Sequence, residues 1–396
     1  MKKFKVLDLF SGAGGMAEGF LQAGFSIPYA SDKSQQASET YIHRHQQLGF
    51  DVKYYCGDVA QLAEEKTLLE FLDYDLKQID VICGGPPCQG FSLAGRRNPE
   101  DLRNKLVKSY IDILKQVKPK YFVMENVIGI LSTKFLEYQG LEKNYYNEKV
   151  VDVLLSEFSS IGYSNVEIKT LDASDFGVPQ KRIRVFFIGT RNDIFIKVKH
   201  PLPTTKNKIS VKQAIDDLIN IDNGTIINNY NKLANTKYQR ESRKGRTHNV
   251  ENKAIASPLL YNHQTSIHTQ LVIQRFALLK EGEKIHTLLK RLSNKEQKKY
   301  TTKKQNCRRM IAKHPSPTVL TLPDDLVHYS QNRILTVREM ARLQSFDDSF
   351  EFLGKRTTGG KLRKNETPQY TLVGNAVPPL LAKAIACQIM EALQKG

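Results

Sequence analysis

From Lys5 to about Gly189, short β-branched apolar runs alternate with stretches of helical texture, and this alternation limits the fold more than any other feature. Val6–Phe10, Ser26–Ala30, Lys53–Tyr55, Ile79–Cys83, Tyr121–Met124 and Arg184–Ile188 read as strands, with helical segments after the early ones. Such βαβα order predicts an α/β fold built on a mostly parallel sheet with both faces covered. In open sheets of this kind, ligands and chemistry gather outside the carboxyl ends of the strands.

Beyond Arg191 the texture changes. Asn, Lys, Thr and Gln dominate 204–310, and residues 195–330 hold 25 Lys+Arg against 10 Asp+Glu, most of the chain's formal charge of +18. Positive charge concentrated in one segment points to a polyanion, most simply nucleic acid. Tyr238–His248 and Lys295–Arg309 are its most basic stretches, with tyrosines interleaved. A membrane surface is the competing partner, but the segment shows no amphipathic anchor helix. Regular pattern returns near Leu335, where Thr336-Val337-Arg338-Glu339 reads as a capping box opening a helix to Gln344. A second helix follows Pro378-Pro379 and runs to about Leu393. The expected organisation is an α/β domain over 1–194, a basic insert over 195–330, and a segment 331–396 that returns to the first domain.

With 396 residues, 40% hydrophobic and 25% charged, the chain has material for one large domain and a smaller one. No apolar run approaches the ~20 residues that span a bilayer. The short apolar segment after Met1–Lys5 contains Asp8, so no secretory signal is expected. Five scattered cysteines (Cys56, Cys83, Cys88, Cys307 and Cys387) argue against a disulfide framework and for a cytoplasmic setting. No second Cys or His pair matches Cys83 and Cys88, so no metal is expected.

Within the α/β part, Val81-Ile82-Cys83-Gly84-Gly85-Pro86-Pro87-Cys88-Gln89-Gly90-Phe91-Ser92 ends an apolar run on a stiff turn. Glycines allow close backbone approach while prolines fix φ and remove N–H donors, so Cys88 reads as a thiol just past a strand end. Phe10-Ser11-Gly12-Ala13-Gly14-Gly15 lies between a strand and a helix, where glycines and free helix N–H groups suit an adenosine-containing cofactor. Asp32 ends the second strand, placed to take a ribose diol. Asp58, in Cys56-Gly57-Asp58-Val59, follows the third, placed for an adenine amine. Each aspartate taken alone reads as well as a helix cap. Glu125-Asn126-Val127 ends the strand at Met124, and a carboxyl buried there should hold its proton near neutral pH. Gln180-Lys181-Arg182-Ile183-Arg184 opens another strand with alternate arginines on one face.

Together these segments resemble the cytosine-5 DNA methyltransferases of the bacterial restriction-modification type. DLFSGAGG (8–15), GGPPCQGFS (84–92), ENV (125–127), QKRIR (180–184), RILTVREMARLQSF (333–346) and GNAVPP (374–379) occur in family order. The resemblance covers roughly 4–191 and 331–396, and in this family the intervening basic region is the target-recognition domain. It implies the Rossmann-like fold of S-adenosylmethionine-dependent methyltransferases and double-stranded DNA as substrate.

The resemblance also assigns roles. Cys88 is the implied nucleophile toward C6 of a cytosine flipped from the duplex. Glu125 hydrogen-bonds N3, Asn126 positions the site, Arg184 binds O2, and Arg182 contacts phosphate or neighbouring groups. Cofactor contacts carry over as Phe10, Gly12, Gly14, Gly15, Asp32, Asp58, Val59, Pro87 and Asn375, with Leu106 adding apolar contact. Asp32 stands where many relatives have Glu, and Lys33 where relatives often carry an aromatic. Gln89, Ser92, Arg96 and Arg97, on the segment around and after Cys88, are implied DNA contacts. The helix after Pro379 is expected to pack on the first helix. S-adenosylhomocysteine is the implied product, and a monomer acting at the nucleoid, with a cognate restriction endonuclease as possible companion, completes the expectation. An RNA cytosine methyltransferase is the near alternative, opposed by the length of the insert. An inert DNA-binding relative is the other, opposed by the intact Pro-Cys and Glu-Asn-Val segments.

Overall fold

The computed structural model describes residues 3–87, 104–219, 221–358 and 366–396. The chain forms two compact units. The first comprises Met1–Asp172, Ile183–Pro203 and Leu381–Gly396; the second comprises Ala173–Arg182 and Thr204–Leu380.

The first unit opens β1 (Lys5–Leu9), α1 (Gly15–Gln22), β2 (Ser26–Asp32), α2 (Gln35–Leu48), β3 (Lys53–Cys56), α3 (Val59–Leu62), α4 (Glu65–Phe71) and β4 (Val81–Gly84). It continues with α5 (Asn104–Val117), β5 (Tyr121–Asn126), β6 (Lys134–Gln139), β7 (Asn144–Lys149), α6 (Val150–Ser160), β8 (Asn165–Asp172) and β9 (Ile183–Thr190). Seven strands form one sheet in the order β3-β2-β1-β4-β5-β9-β8. β1, β2, β3, β4 and β5 pair in parallel, and β9 runs antiparallel to both β5 and β8.

The six strands read from the sequence are present, each shifted at its ends by a residue or two. β8 and the β6–β7 hairpin had no counterpart in that reading. Their sequences, NVEIKTLD, KFLEYQ and NYYNEK, carry polar residues at most positions and lack an apolar run.

Side-chain alternation along each strand divides the core. Leu7, Leu9, Ile82, Phe122 and Met124 join Val107, Ile111, Leu114, Leu154 and Phe158 in one apolar cluster. Val6, Val81 and Val123 alternate onto the opposite face, equally buried. α1 meets the C-terminal helix α14 (Pro379–Lys395) at Gly19, where an added Cβ would lie 2.5 Å from both Ala382 Cβ and Lys383 N. The expected packing of these two helices is therefore observed, and Gly19 permits it.

β1 lies between β2 and β4, so the chain winds outward in opposite directions from this strand. That reversal opens a crevice beyond the carboxyl ends of β1 and β4. Phe10–Gly14 and Gly85–Pro87 are the segments that leave there.

The second unit carries α7 (Val211–Ile215), α8 (Lys237–Lys244), α9 (Gln270–Leu278), α10 (Ile285–Lys290), α11 (Asn294–Tyr300), β10 (Arg308–Arg309), β11 (Leu326–Val327), α12 (Val337–Leu343) and α13 (Gln369–Asn375). The capping box read at Thr336 is present: its hydroxyl accepts from Glu339 N, and the Glu339 carboxylate accepts from Thr336 N. Among the described residues, no single helix is long and apolar enough to cross a membrane.

Candidate active site

Phe10 ends β1 with φ at 55°, and Gly12 and Gly14 follow at 52° and 93°. A side chain in this left-handed region costs about 1–3 kcal/mol, so glycine suits the latter two while Phe10 is held there under strain. Gly14 is the N-cap of α1 and supplies no side-chain cap, so the opening turn of this helix presents N–H groups toward the crevice. An added Cβ at Gly14 would stand 3.0 Å from the Tyr41 ring, which lies against the loop.

Asp32, at the end of β2, accepts from Gly12 N at 3.0 Å and Ser34 N at 2.9 Å. Burial still raises its carboxyl above the usual range, with those two donors pulling it down. Asp58 caps α3 through Ala60 N at 2.9 Å, the helix-cap reading its sequence allowed, while Val59 behind it is buried. Lys33 is exposed. Leu106 is half-buried against the first unit's core.

A buried group missed by the sequence reading lies beneath this loop. Asp8 accepts from Tyr41 Oη at 3.2 Å and from Cys83 Sγ at 3.5 Å. Burial raises its carboxyl to about 7 despite those hydrogen bonds. The aromatics extend outward, with Tyr54 5.2 Å from Tyr41 and its hydroxyl 2.9 Å from Ser11 Oγ. A lone aspartate inside the otherwise apolar Val6–Phe10 run was the available signal. Cys83 is fully buried, and burial with the neighbouring Asp8 charge pushes its thiol well up, which fits a packing role.

At the end of β4, an added Cβ on Gly84 would meet Leu9 O at 2.6 Å, so only glycine lets β1 and β4 approach this closely. On Gly85 it would meet Glu125 Oε2 at 3.1 Å, so the carboxylate lies against the turn. Asn126, nearly fully buried, donates from Nδ2 to Pro86 O at 3.3 Å and accepts from Val127 N at 2.8 Å. Pro86 is buried and Pro87 half-buried. Cys88, next in sequence, lies outside the described residues, as do Gln89, Ser92, Arg96 and Arg97.

β5 and β9 bring Glu125 and Arg184 together: Arg184 Nε lies 2.9 Å from Glu125 Oε1, and both side chains keep about one-sixth of their surface exposed (16% and 15%). The sequence suggested a carboxyl at a buried strand end that keeps its proton; the structure pairs it with a cation and leaves both side chains partly exposed. Arg182 was expected to contact phosphate or neighbouring groups, and in the structure it meets neighbouring protein groups. Its guanidinium is buried in the second unit and donates to Val319 O at 3.2 Å, Gly374 O at 3.0 Å and Asn375 O at 3.5 Å. Gln180, also fully buried, bonds Leu343 O and Val319 N. These side chains build the second unit from within, and Asn375 itself is exposed at the end of α13. No group of His, Cys, Asp or Glu able to hold a metal is found among the described residues.

The profile of the family described as C-5 cytosine-specific DNA methylase matches residues 4–391. The type II methyltransferase M.DdeI of Desulfomicrobium norvegicum is 36% identical, with 97% of this chain and 88% of that protein covered. M.FnuDI of Fusobacterium nucleatum is 33% identical, with 98% and 95% covered. Among solved structures, one described as a DNA modification methyltransferase encoded within a prophage (E. coli) superposes with a TM-score of 0.72 at 25% identity, covering 99% of this chain and 100% of that one. The Entamoeba histolytica methyltransferase EhMeth shares the fold at 0.58 and 16% identity, with 100% and 99% covered.

Proposed function

This chain belongs to the C-5 cytosine-specific DNA methylases of restriction-modification type, and from that premise we propose that it methylates C5 of a cytosine flipped from a short duplex sequence, through a covalent bond between Cys88 and C6. The observation that carries the reading is the Glu125–Arg184 pair set against the Gly85 turn, three residues before Cys88 in sequence.

Cytosine C5 is too weak a nucleophile to take a methyl group directly. A Cys88 thiolate adding to C6 pushes electron density through the ring toward C5, and N3 gathers negative charge as it does so. Glu125, protonated when the base is bound, donates to N3 and relieves that charge, while Arg184 donates to O2 from the same side. Arg184 holds Glu125 in place before the base arrives. Asn126 anchors the turn through Pro86 O, which fixes where Cys88 begins. After C5 has taken its methyl group, loss of the C5 proton returns the electron pair to the C5–C6 bond and expels the Cys88 thiolate.

S-adenosylmethionine supplies an electrophilic methyl group on its sulfonium and leaves as S-adenosylhomocysteine. The residues present fit it. The uncapped N-terminus of α1 offers the N–H groups of its opening turn beside the left-handed backbone of Phe10, Gly12 and Gly14, with Gly15 as first helical residue. Asp32 and Asp58, at successive strand ends, would take the ribose hydroxyls and adenine amine, with Val59, Pro87, Leu106 and Asn375 in the remaining contacts. The Asp32 carboxylate already fixes the loop through Gly12 N, so a ribose would meet an oriented acceptor.

A base stacked in a duplex cannot meet the Cys88 thiol, and turning it out costs roughly a few kcal/mol. Residues 195–330 would offset this as the target-recognition domain, aided by Gln89, Ser92, Arg96 and Arg97 around Cys88. The chain would act as a cytoplasmic monomer at the nucleoid, protecting sites from a companion endonuclease. Bisulfite sequencing of DNA from cells expressing the chain tests the reading. Protected cytosines in one short sequence context support it, and DNA indistinguishable from the vector control overturns it.

A further inference from the structure

The second unit sorts its positive charge by residue type. In the basic stretch Tyr238–His248, Arg243 binds Asp217 at 2.7 Å beneath the Tyr230 ring, and Arg246 binds Asp347 at 2.7 Å. In the other basic stretch, Arg309 is buried and donates to Leu279 O, Phe276 O and His328 O. These arginines hold the unit together and are spent before any ligand arrives. Guanidinium groups, planar and weakly hydrated, suit such interior roles, whereas lysine ammonium groups remain in water.

Several lysines of this unit are also paired with acids, including Lys232 with Asp216, Lys253 with Glu251, Lys304 with Asp324 and Lys355 with Glu366. Lys206, Lys212, Lys244 and Lys313 are exposed without such a pair among the described residues, and so are Lys290, Lys295, Lys298, Lys299 and Lys303, which are set apart by lying close together in the chain. Of these five, Lys299 alone feels an acid, Glu296, and its ammonium lies over the Tyr300 ring. Lys295, Lys298 and Lys299 sit at i, i+3 and i+4 on α11 and so share one face, a spacing at which like charges weaken a helix. The one acid in the helix, Glu296, is engaged by its Ser293 capping box. Beneath them the platform is packed: Tyr300 is buried, and Phe276, Leu279, Ile285 and Leu288 form a small apolar core with Cys307, Val327 and Ile334. A rigid helix that tolerates unpaired like charge on one face is fitted to a regular external anion.

We infer that the lysine face of α11, continued by Lys290 and Lys303, is a contact of this unit with the phosphate backbone of duplex DNA, and that Arg243 and Arg246 of the other basic stretch are internal scaffold. This rests on the duplex-DNA reading above. Ammonium groups on phosphates position a duplex without reading its sequence. The face should therefore serve cognate and non-cognate DNA alike.

The test is the salt dependence of binding to a fluorescent duplex, cognate and scrambled, for the full chain and for the triple variant Lys295→Gln, Lys298→Gln, Lys299→Gln. Lys66→Gln, Lys77→Gln, Lys115→Gln removes the same charge from the first unit as a control. Each phosphate contact contributes about 0.9 to the slope of log K against log salt, so the α11 variant should be shallower by roughly 2.7 on both duplexes, with the control close to wild type. Its thermal midpoint should not fall, because like charge is removed from α11, and its KM for DNA should rise. An unchanged slope, an equal loss in the control, or a loss confined to the cognate duplex overturns the inference. A wild-type chain that binds neither duplex overturns the functional reading itself.

Discussion

Asn126 donates its side-chain N–H to the carbonyl oxygen of Pro86 at 3.3 Å, tying the end of β5 to the turn that leads into Cys88. The amide is nearly fully buried, so no water can replace it. Asn126→Ala is expected to cost about 1–3 kcal/mol of stability. It should also slow methyl transfer roughly 10²-fold, because an ångström-scale misplacement of a nucleophile has that effect. Single-turnover rates check this. Binding of S-adenosylmethionine should change little, since the loop proposed to hold it follows β1.

Gly19 sets how closely α1 and α14 approach. Gly19→Ala forces a Cβ to 2.5 Å from Ala382 Cβ and Lys383 N, and the latter is backbone that cannot rotate away. A loss of about 1–3 kcal/mol is expected, typical of overpacking. A denaturant midpoint equal to wild type would show that these helices do not pack as described.

Arg342 is wholly buried between Asp217 at 2.8 Å and Asp348 at 2.6 Å. Burial alone would raise the Asp348 carboxyl, but the Arg342 charge and hydrogen bonds outweigh it and hold it at about 2. Arg342→Met removes the shared cation and leaves Asp217 to Arg243 and Asp348 to the Tyr230 hydroxyl and Arg338 at 4.0 Å, which should cost about 3 kcal/mol. In the wild type, the Asp348 contribution is complete above an unfolded aspartate's pKa near 3.9 and is lost as pH falls toward 2.

Histidines and an aspartate give opposite pH trends in the two units. Burial lowers His263 to about 4 and His328 to about 3 in the second unit. An unfolded imidazole takes up its proton near 6.5, so the unfolded chain binds more protons below that pH, and this unit weakens as pH falls from about 6.5 to 4. Asp8, in the first unit, is raised to about 7 from an ordinary 3.8. There the folded state binds the extra proton, so the Asp8 contribution diminishes as pH rises through that window. Asp8→Asn should flatten this trend and gain on wild type above pH 7, measured as urea midpoints against pH. A parallel pair of curves would contradict the burial described for Asp8.

The sheet and its crevice were legible because local signals carried them. Gly12 and Gly14 mark left-handed backbone, Gly84 marks a close backbone approach, and the apolar runs mark strands. Glu125 and Arg184 could be named singly from their motifs, but their pairing depends on β5 lying beside β9, which no local pattern states. The basic stretch Tyr238–His248 misled for the same reason. Arg243 and Arg246 look free in sequence, and their partners Asp217 and Asp347 lie 26 and 101 residues away. Arg182 likewise reads as a surface charge until Val319 and Gly374 fold over it. Asp8 was overlooked because an apolar strand seldom buries a carboxyl, and only Tyr41 and Cys83 show how it is held.

The covalent step proposed at Cys88 can be trapped directly. A duplex carrying 5-fluorocytosine at the cytosine located by bisulfite sequencing, incubated with S-adenosylmethionine, should stop after methylation, because fluorine cannot leave C5 as a proton does. Mass spectrometry of the denatured mixture should then show one protein–DNA adduct bearing the methyl group, mapped by peptide digestion to Cys88 and missing in Cys88→Ala. No adduct from a wild-type protein that methylates the unsubstituted duplex, or an adduct on Cys56 or Cys83, would contradict the proposed mechanism.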